Sequence, residues 1–295
     1  MKRFVLAAAL GLLSLGAKDT PGAKLPDPVC NDDSKWTDPA APFRIFGNTW
    51  YVGTCGLSAI LVTSRAGHVL IDAPMDENVP LIEANVQRAG FKLKDIKYIL
   101  FSHAHFDHVG GIARLARDTG ATVVGRGADA ETVERGKGAR DDPQFYSAKP
   151  FPAFSPVQHI DQGLVLLGPL ALTPVPTTGH TPGSTTWTWR SCEKRRCVQI
   201  VYADSLTAIS DDDYQYGDDT AHPGYAAAFR ASIARIEQLD CDLLITPHPS
   251  VSGMWDRFGP HPTAPVIDPA ACHNLAVRAG KALDARLAKE AGKAN

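Results

Sequence analysis

The segment His103-Ala104-His105-Phe106-Asp107-His108 places three imidazoles and one carboxylate within six residues. Imidazole nitrogens and carboxylate oxygens are ordinary zinc ligands, and a catalytic zinc keeps one position open for water. The cluster contains no thiol, whereas a closed structural zinc typically has thiolates, so it points to chemistry. His103 and His105 are two residues apart and point the same way in an extended segment. Asp107 and His108 fall where the chain turns into a helix, whose positive end favours a carboxylate. The cluster can therefore face two metal positions at once. Imidazole-rich ligation suits zinc among the divalent metals.

The elements around the cluster must position it. The apolar run Ile96-Lys-Tyr-Ile-Leu-Phe101 reads as a buried strand, and Gly111 to Asp118 as a helix. Two further histidines have suggestive settings. His180 sits in Thr177-Thr-Gly-His-Thr-Pro-Gly183, a tight turn after a strand. His248 sits in Ile245-Thr-Pro-His-Pro249, again just after a strand. All three histidine-bearing segments thus follow the C-terminal ends of strands, which can share one face in a layered α/β protein. His68, His159, His222, His261 and His273 lack such settings and read as surface or packing residues.

The remaining pattern is regular. Phe43 to Phe46, Thr49 to Val52, Leu57 to Thr63 and His68 to Ile71 predict a meander of short strands. Val79 to Ala89 predicts a helix ended by Gly90. Further strands are predicted at 121–124, 164–167, 170–175, 185–189, 198–202 and 242–245, with helices at 222–239 and 269–289. Residues 126–162 read as a loop-rich stretch, and a loop of that length inside a domain tends to be functional. The order gives two similar βα halves in one α/β domain, sheets inside and helices outside.

The chain has 295 residues, 44% of them hydrophobic, enough for one large domain with a sizeable core. A formal charge of −2, with no basic cluster beyond the short Lys194-Arg195-Arg196, gives no sign of a nucleic-acid partner. Lys2 and Arg3, the apolar stretch Phe4 to Gly16 and the small residues ending at Ala17 predict a secretory signal peptide over residues 1–17. That stretch is too short to span a bilayer comfortably, and no other segment looks transmembrane. Residues 18–42, rich in Pro, Asp and Lys, predict an extended arm before a catalytic domain over 43–295. Export makes the six cysteines readable as disulfides, for which 15 pairings exist. Cys192 and Cys197 flank a polar tip between two strand-like runs and would close a hairpin. Cys30–Cys55 and Cys241–Cys272 then join segments near one another in order.

Together, His-x-His-x-Asp-His, Gly-His-Thr-Pro-Gly and the late Pro-His-Pro resemble the metallo-β-lactamase superfamily, over about Trp36 to Cys272. The resemblance implies a four-layer αβ/βα sandwich, a single domain with zinc at one edge. The superfamily also houses glyoxalase II, lactonases, nucleases and sulfatases, so the motif bears more on fold and metal than on substrate. Finer features are similar to the third subclass of true β-lactamases. His103 is present, and Ser205 in Tyr202-Ala-Asp-Ser-Leu-Thr207 stands where the first two subclasses have a zinc-binding Cys. The opening Trp36-Thr-x-Pro-x-x-Pro-Phe-Arg-Ile, the segment Cys241-Asp-x-Leu-x-x-Pro-His248 and the Cys241–Cys272 pairing are also similar to that subclass.

By matching position, the resemblance implies one zinc on His103, His105 and His180 and a second on Asp107, His108 and His248, with a hydroxide between them. Asp107 would also orient that hydroxide. Ser205 and Thr207 would hold a substrate carboxylate, and Gln144 would reach the substrate's side group unless it is a solvated loop residue. In glyoxalase II-like members an Asp in a Gly-Asp-Thr segment bridges both metals. Here Asp204 is expected to be structural or to support a ligand, with Ser205 facing the pocket. The implied function is hydrolysis of the β-lactam amide of penicillins, cephalosporins and/or carbapenems, a resistance activity of a periplasmic monomer carrying two zinc ions. The alternatives are a lactone or thioester hydrolase on the same fold, and a non-catalytic metal-binding module.

Overall fold

Successive strand residues face opposite sides of a sheet, and that alternation builds the layers. In the computed structural model, which describes residues 29–259 and 261–293, twelve strands form two sheets among the described residues. The predicted signal segment, 1–17, and residues 18–28 of the predicted arm lie outside the described residues.

The first sheet has seven strands in chain order: β1 (Phe43–Phe46), β2 (Thr49–Tyr51), β3 (Ile60–Ser64), β4 (Gly67–Ile71), β5 (Ile96–Leu100), β6 (Thr122–Gly125) and β7 (Gln158–His159). The first four pair antiparallel as the predicted meander; β4 to β7 run parallel. The second sheet is built from β8 (Val165–Leu167), β9 (Leu170–Pro176), β10 (Thr185–Glu193), β11 (Arg196–Tyr202) and β12 (Leu243–Ile245), in the spatial order β12-β11-β10-β9-β8.

Ile60, Val62, Val69, Ile71 and Leu100 of the first sheet share one core with Leu172, Trp187, Ile200, Tyr202 and Ile245 of the second. The intervening residues Leu61, Leu70 and Ile99 face outward onto α1 (Val79–Arg88), α3 (Ile112–Thr119) and α4 (Gly127–Arg135). Val201 and Leu244 face outward onto α5 (Tyr225–Glu237) and α7 (Ala271–Lys293). Central strands are therefore apolar on both faces, as expected where helices cover both sides. The result is the predicted helix–sheet–sheet–helix sandwich in one domain.

Residues 126–162 depart from the loop-rich reading, because α4 occupies the first part of the stretch. Ala130 and Val133 are three apart and fully buried against the first sheet, while glycines at both ends, Gly127 and Gly136, mask the short helix in the sequence. The strands also extend further than predicted: β10 runs to Glu193, and its pairing with β11 carries Cys192 opposite Cys197. All three expected disulfides form: Cys30–Cys55, Cys192–Cys197 and Cys241–Cys272. The last ties the residues before β12 to the start of α7. No helix among the described residues is long and apolar enough to cross a membrane.

Candidate active site

Strand ends deliver the polar residues. β5 ends at Leu100 and feeds His103 and His105, then the single helical turn α2 (Phe106–Val109), which carries Asp107 and His108. β9 ends at Pro176 and leads to His180; β12 ends at Ile245 and leads to His248. The six residues gather as two groups, His103–His105–His180 and Asp107–His108–His248, the ligand atoms of each lying within 4.8 Å of one another. Each group draws two residues from the loop after β5 in the first sheet and one from the second sheet.

The turn holding His180 is braced by Asp129 of α4. Its buried carboxylate accepts hydrogen bonds from the Ala104 amide (2.9 Å), the Thr181 hydroxyl (2.7 Å) and the Gly183 amide (2.8 Å). A Cβ at position 183 would lie 2.6 Å from that side chain, so the close approach requires glycine. Burial pushes the Asp129 carboxyl up to about 6, against the pull of these donors. Asp129 thus locks the His103 segment to the His180 turn.

Four of the five imidazoles have one ring nitrogen hydrogen-bonded by protein, while His108 Nδ1 has only the Asp72 carboxylate nearby without a hydrogen bond. His103 Nδ1 lies 2.7 Å from Asp204 Oδ1, and His105 Nε2 lies 3.2 Å from Asp142 Oδ2. His180 Nδ1 lies 3.0 Å from both the carbonyl and the hydroxyl of Thr207. His108 Nδ1 lies 3.6 Å from Asp72 Oδ2, and His248 is held by the Gly56 backbone. Acceptors on one ring nitrogen fix the tautomer and leave the other nitrogen its lone pair, the arrangement usual for metal-bound histidine.

The free nitrogens crowd together. His108 Nε2 is 3.3 Å from His248 Nε2, and these nitrogens lie 3.2 and 3.5 Å from Asp107 Oδ2. Burial first, then the neighbouring His105, holds His180 down to about 3; burial and His108 hold His248 at about 4. Burial and His108 likewise push His103 well down. Those three are neutral, which is the ligand form. His108 is the exception. Burial opposes its charge, but Asp107 and Asp72 outweigh it and push His108 up to about 9. Burial would raise Asp107, yet His108 and His248 hold it below the usual carboxylate range. The two groups offer five imidazoles and one carboxylate, a donor set that could hold metal ions.

The groups open into a cavity of about 570 Å³. His105, Asp107, His180 and His248 lie on its floor. Trp36 forms part of the rim, its ring 6.0 Å from Phe106 and 5.6 Å from His248. Ser205 lines the wall. Gln144 also reaches the site, its Nε2 lying 3.4 Å from His180 Nε2. Thr207 lines the cavity too, but its hydroxyl is turned to His180 Nδ1, so it braces a ligand in addition to any contact with substrate. Asp204 is buried at the edge of the cavity, with Oδ1 on His103 Nδ1. The other five histidines stay outside both groups: His159 and His261 are exposed, His222 stacks on Tyr214, His273 pairs with Glu237, and His68 packs against Phe91.

Sequence reasoning missed Asp72, Asp129 and Asp142, which sit in no recognisable motif. It also missed the far wall of the cavity, where Leu275, Arg278, Ala279 and Ala282 of α7 face the cleft. Their helical spacing reads as ordinary packing.

The sequence profile of the metallo-β-lactamase superfamily matches residues 52–193. The metallo-β-lactamase MIM-1 from Novosphingobium pentaromativorans superposes with a TM-score of 0.84 at 45% identity, over 88% of this chain and 94% of that one. The chain belongs to the metallo-β-lactamase superfamily. MEM-A1, a subclass B3 metallo-β-lactamase from a soil metagenome library, is 41% identical with a TM-score of 0.84, over 88% of this chain and 100% of its own. Among curated sequences, a hydroxyacylglutathione hydrolase from Anaeromyxobacter dehalogenans is 33% identical over 141 residues, 48% of this chain. The match spans only 44% of that relative's length. The solved relatives of this superfamily member thus include subclass B3 enzymes, and its curated relatives include a hydroxyacylglutathione hydrolase by name.

Proposed function

We propose that the chain is a zinc-dependent β-lactamase, hydrolysing the amide bond of penicillins, cephalosporins and/or carbapenems in the periplasm as a monomer, and so conferring resistance. The observation that carries this reading is the pair of ligand groups on the floor of a cleft whose full sandwich is similar to subclass B3 enzymes. His103, His105 and His180 would hold one zinc, and Asp107, His108 and His248 the second. Zinc at these positions supplies a water of near-neutral pKa and an electrophile for the lactam carbonyl.

The chain's own residues then have defined tasks. Asp107, whose Oδ2 faces the Nε2 atoms of His108 and His248, would accept a hydrogen bond from the attacking water and orient it. Asp204, Asp142 and Thr207 hold the tautomers of His103, His105 and His180. The Ser205 hydroxyl, on the cavity wall, donates to the substrate carboxylate, and Thr207, two residues on, lines the same cavity. The Gln144 amide meets the substrate's side group. Trp36 and Phe106 keep water from that side of the cleft. Nothing in this scheme needs a side-chain nucleophile.

A second reading, hydrolysis of a glutathione thioester, is favoured by the match to the hydroxyacylglutathione hydrolase. The two readings separate in one experiment on the purified chain. Turnover of a chromogenic cephalosporin, a carbapenem and a hydroxyacylglutathione is measured before and after chelation and after zinc is restored. We expect lactam turnover that chelation abolishes and zinc restores. A folded, zinc-loaded protein that cleaves only the thioester would replace the first reading with the second.

A further inference from the structure

Asp211 lies in the loop after β11, and its bonding links two parts of the molecule that flank the cleft. Its carboxylate accepts hydrogen bonds from the Tyr146 amide (2.6 Å, to Oδ2) and the Ser147 amide (2.9 Å, to Oδ1). Its own amide donates to the Pro143 carbonyl at 2.8 Å. Three hydrogen bonds therefore tie Asp211 to residues 143–147 of the loop after α4.

That loop carries two side chains to the metal-ligand cluster. Asp142 is 4% exposed, faces His105 Nε2 and accepts the Gln144 amide at 2.8 Å. Gln144 faces His180. Both targets belong to the same group, His103–His105–His180. The backbone hydrogen bonds of Asp142, Phe145 and Ala148 run to Ala139, Asp142 and Gln144, so they shape the loop without fixing it to the body.

The other side of Asp211 is firmly held. Arg286 of α7 donates to the Ser210 hydroxyl (2.6 Å) and the Tyr214 carbonyl (3.0 Å). Glu290, one turn on, accepts the Tyr216 amide (3.1 Å) and the Gly217 amide (2.8 Å). A continuous set of contacts thus runs from α7, through the 210–217 segment and Asp211, to the loop that supports His105 and His180.

We propose that Asp211 is a positioning residue that clasps the 143–147 loop, seating Asp142 against His105 and Gln144 over His180. Its effect is on the zinc affinity of that one group. The inference rests on the zinc ligation proposed above, and its test has one arm that needs no metal. Amide hydrogen exchange on the metal-free chain reads the clasp directly: Tyr146 and Ser147 are protected in the parent and lose protection in Asp211→Ala. Zinc alone, titrated against a competing chelator, reads the consequence. Loss of an outer partner of a metal ligand lowers affinity by about 10–100-fold. We expect Asp142→Asn to weaken one of two zinc ions within that range, and Asp211→Ala to weaken the same ion by about tenfold. The double variant should be weaker than Asp142→Asn alone by less than the full loss of Asp211→Ala, because the two changes share the Asp142–His105 contact. If Asp211→Ala does not fold, Asp211→Asn, which keeps one acceptor oxygen, carries the same test with a smaller effect. Unchanged exchange at Tyr146 and Ser147, or zinc losses that add in full, would overturn the clasp. A parent chain that binds no zinc would instead overturn the ligation while leaving the exchange arm to judge the clasp.

Discussion

Asp107→Asn leaves the fold intact and lowers lactam turnover by more than the roughly 100-fold that loss of an outer partner can cost. The reason is electrostatic. Asp107 is the one carboxylate within the two ligand groups, and its Oδ2 faces both His108 Nε2 and His248 Nε2. An amide of the same shape keeps the packing, since the side chain is buried. It removes the negative charge that balances a cation in the Asp107–His108–His248 group, and it removes the acceptor proposed to orient water. Zinc content measured alongside kcat should drop from two ions to one, with Tm in the metal-free protein little changed. Two tightly bound zinc ions and full turnover in this variant would sink the assignment of Asp107.

Asp72→Ala acts on stability instead. Asp72 follows β4 with φ of 62°, a left-handed conformation that a short polar side chain tolerates. It is fully buried, and its carboxylate accepts the Ser102 amide (2.7 Å), the Ser102 hydroxyl (2.8 Å) and the Tyr202 hydroxyl (2.6 Å). Stranding a buried donor costs about 1–3 kcal/mol. With three donors left behind, we expect a loss of about 3–5 kcal/mol. The midpoint of urea unfolding at fixed zinc reads it. Asp72→Asn, which keeps one acceptor, should fall between. A loss under about 1 kcal/mol would mean that water or local rearrangement replaces the carboxylate. The same substitution also unseats His108, so zinc affinity should fall with stability.

The sandwich was largely legible in the chain because its signals are local. Short apolar runs such as His68 to Ile71 and Val198 to Tyr202 mark the strands, while their being apolar on both faces hides which residues meet the partner sheet. The ligands were legible for a different reason: His103 to His108 are contiguous, and His180 and His248 sit among Gly and Pro at strand ends. What stayed hidden depends on tertiary placement. The helix over Gly127–Arg135 is short, ends in glycines and gains its order from packing Ala130 and Val133. Asp72 and Asp142 reach their histidines from more than 30 residues away in sequence, and Asp129 braces the Ala104 and Gly183 backbone, all apart from any motif. The α7 wall of the cleft looks like any amphipathic surface, because its role comes only from where the Cys241–Cys272 bridge and the Arg286–Glu290 contacts set it down.

Both ligand groups straddle the two sheets, and this makes the centre a seam as well as a reaction site. An ion held by either group would rivet the first half of the sequence to the second, since neither half alone offers more than two of its three donors. Heat resistance should therefore follow free zinc by mass action, by about 2.7 kcal/mol for each ion at a hundredfold excess over its Kd. A chelator would then do two things together: silence the chemistry and loosen the join between the halves, exposing a drained enzyme to proteolysis sooner than a loaded one.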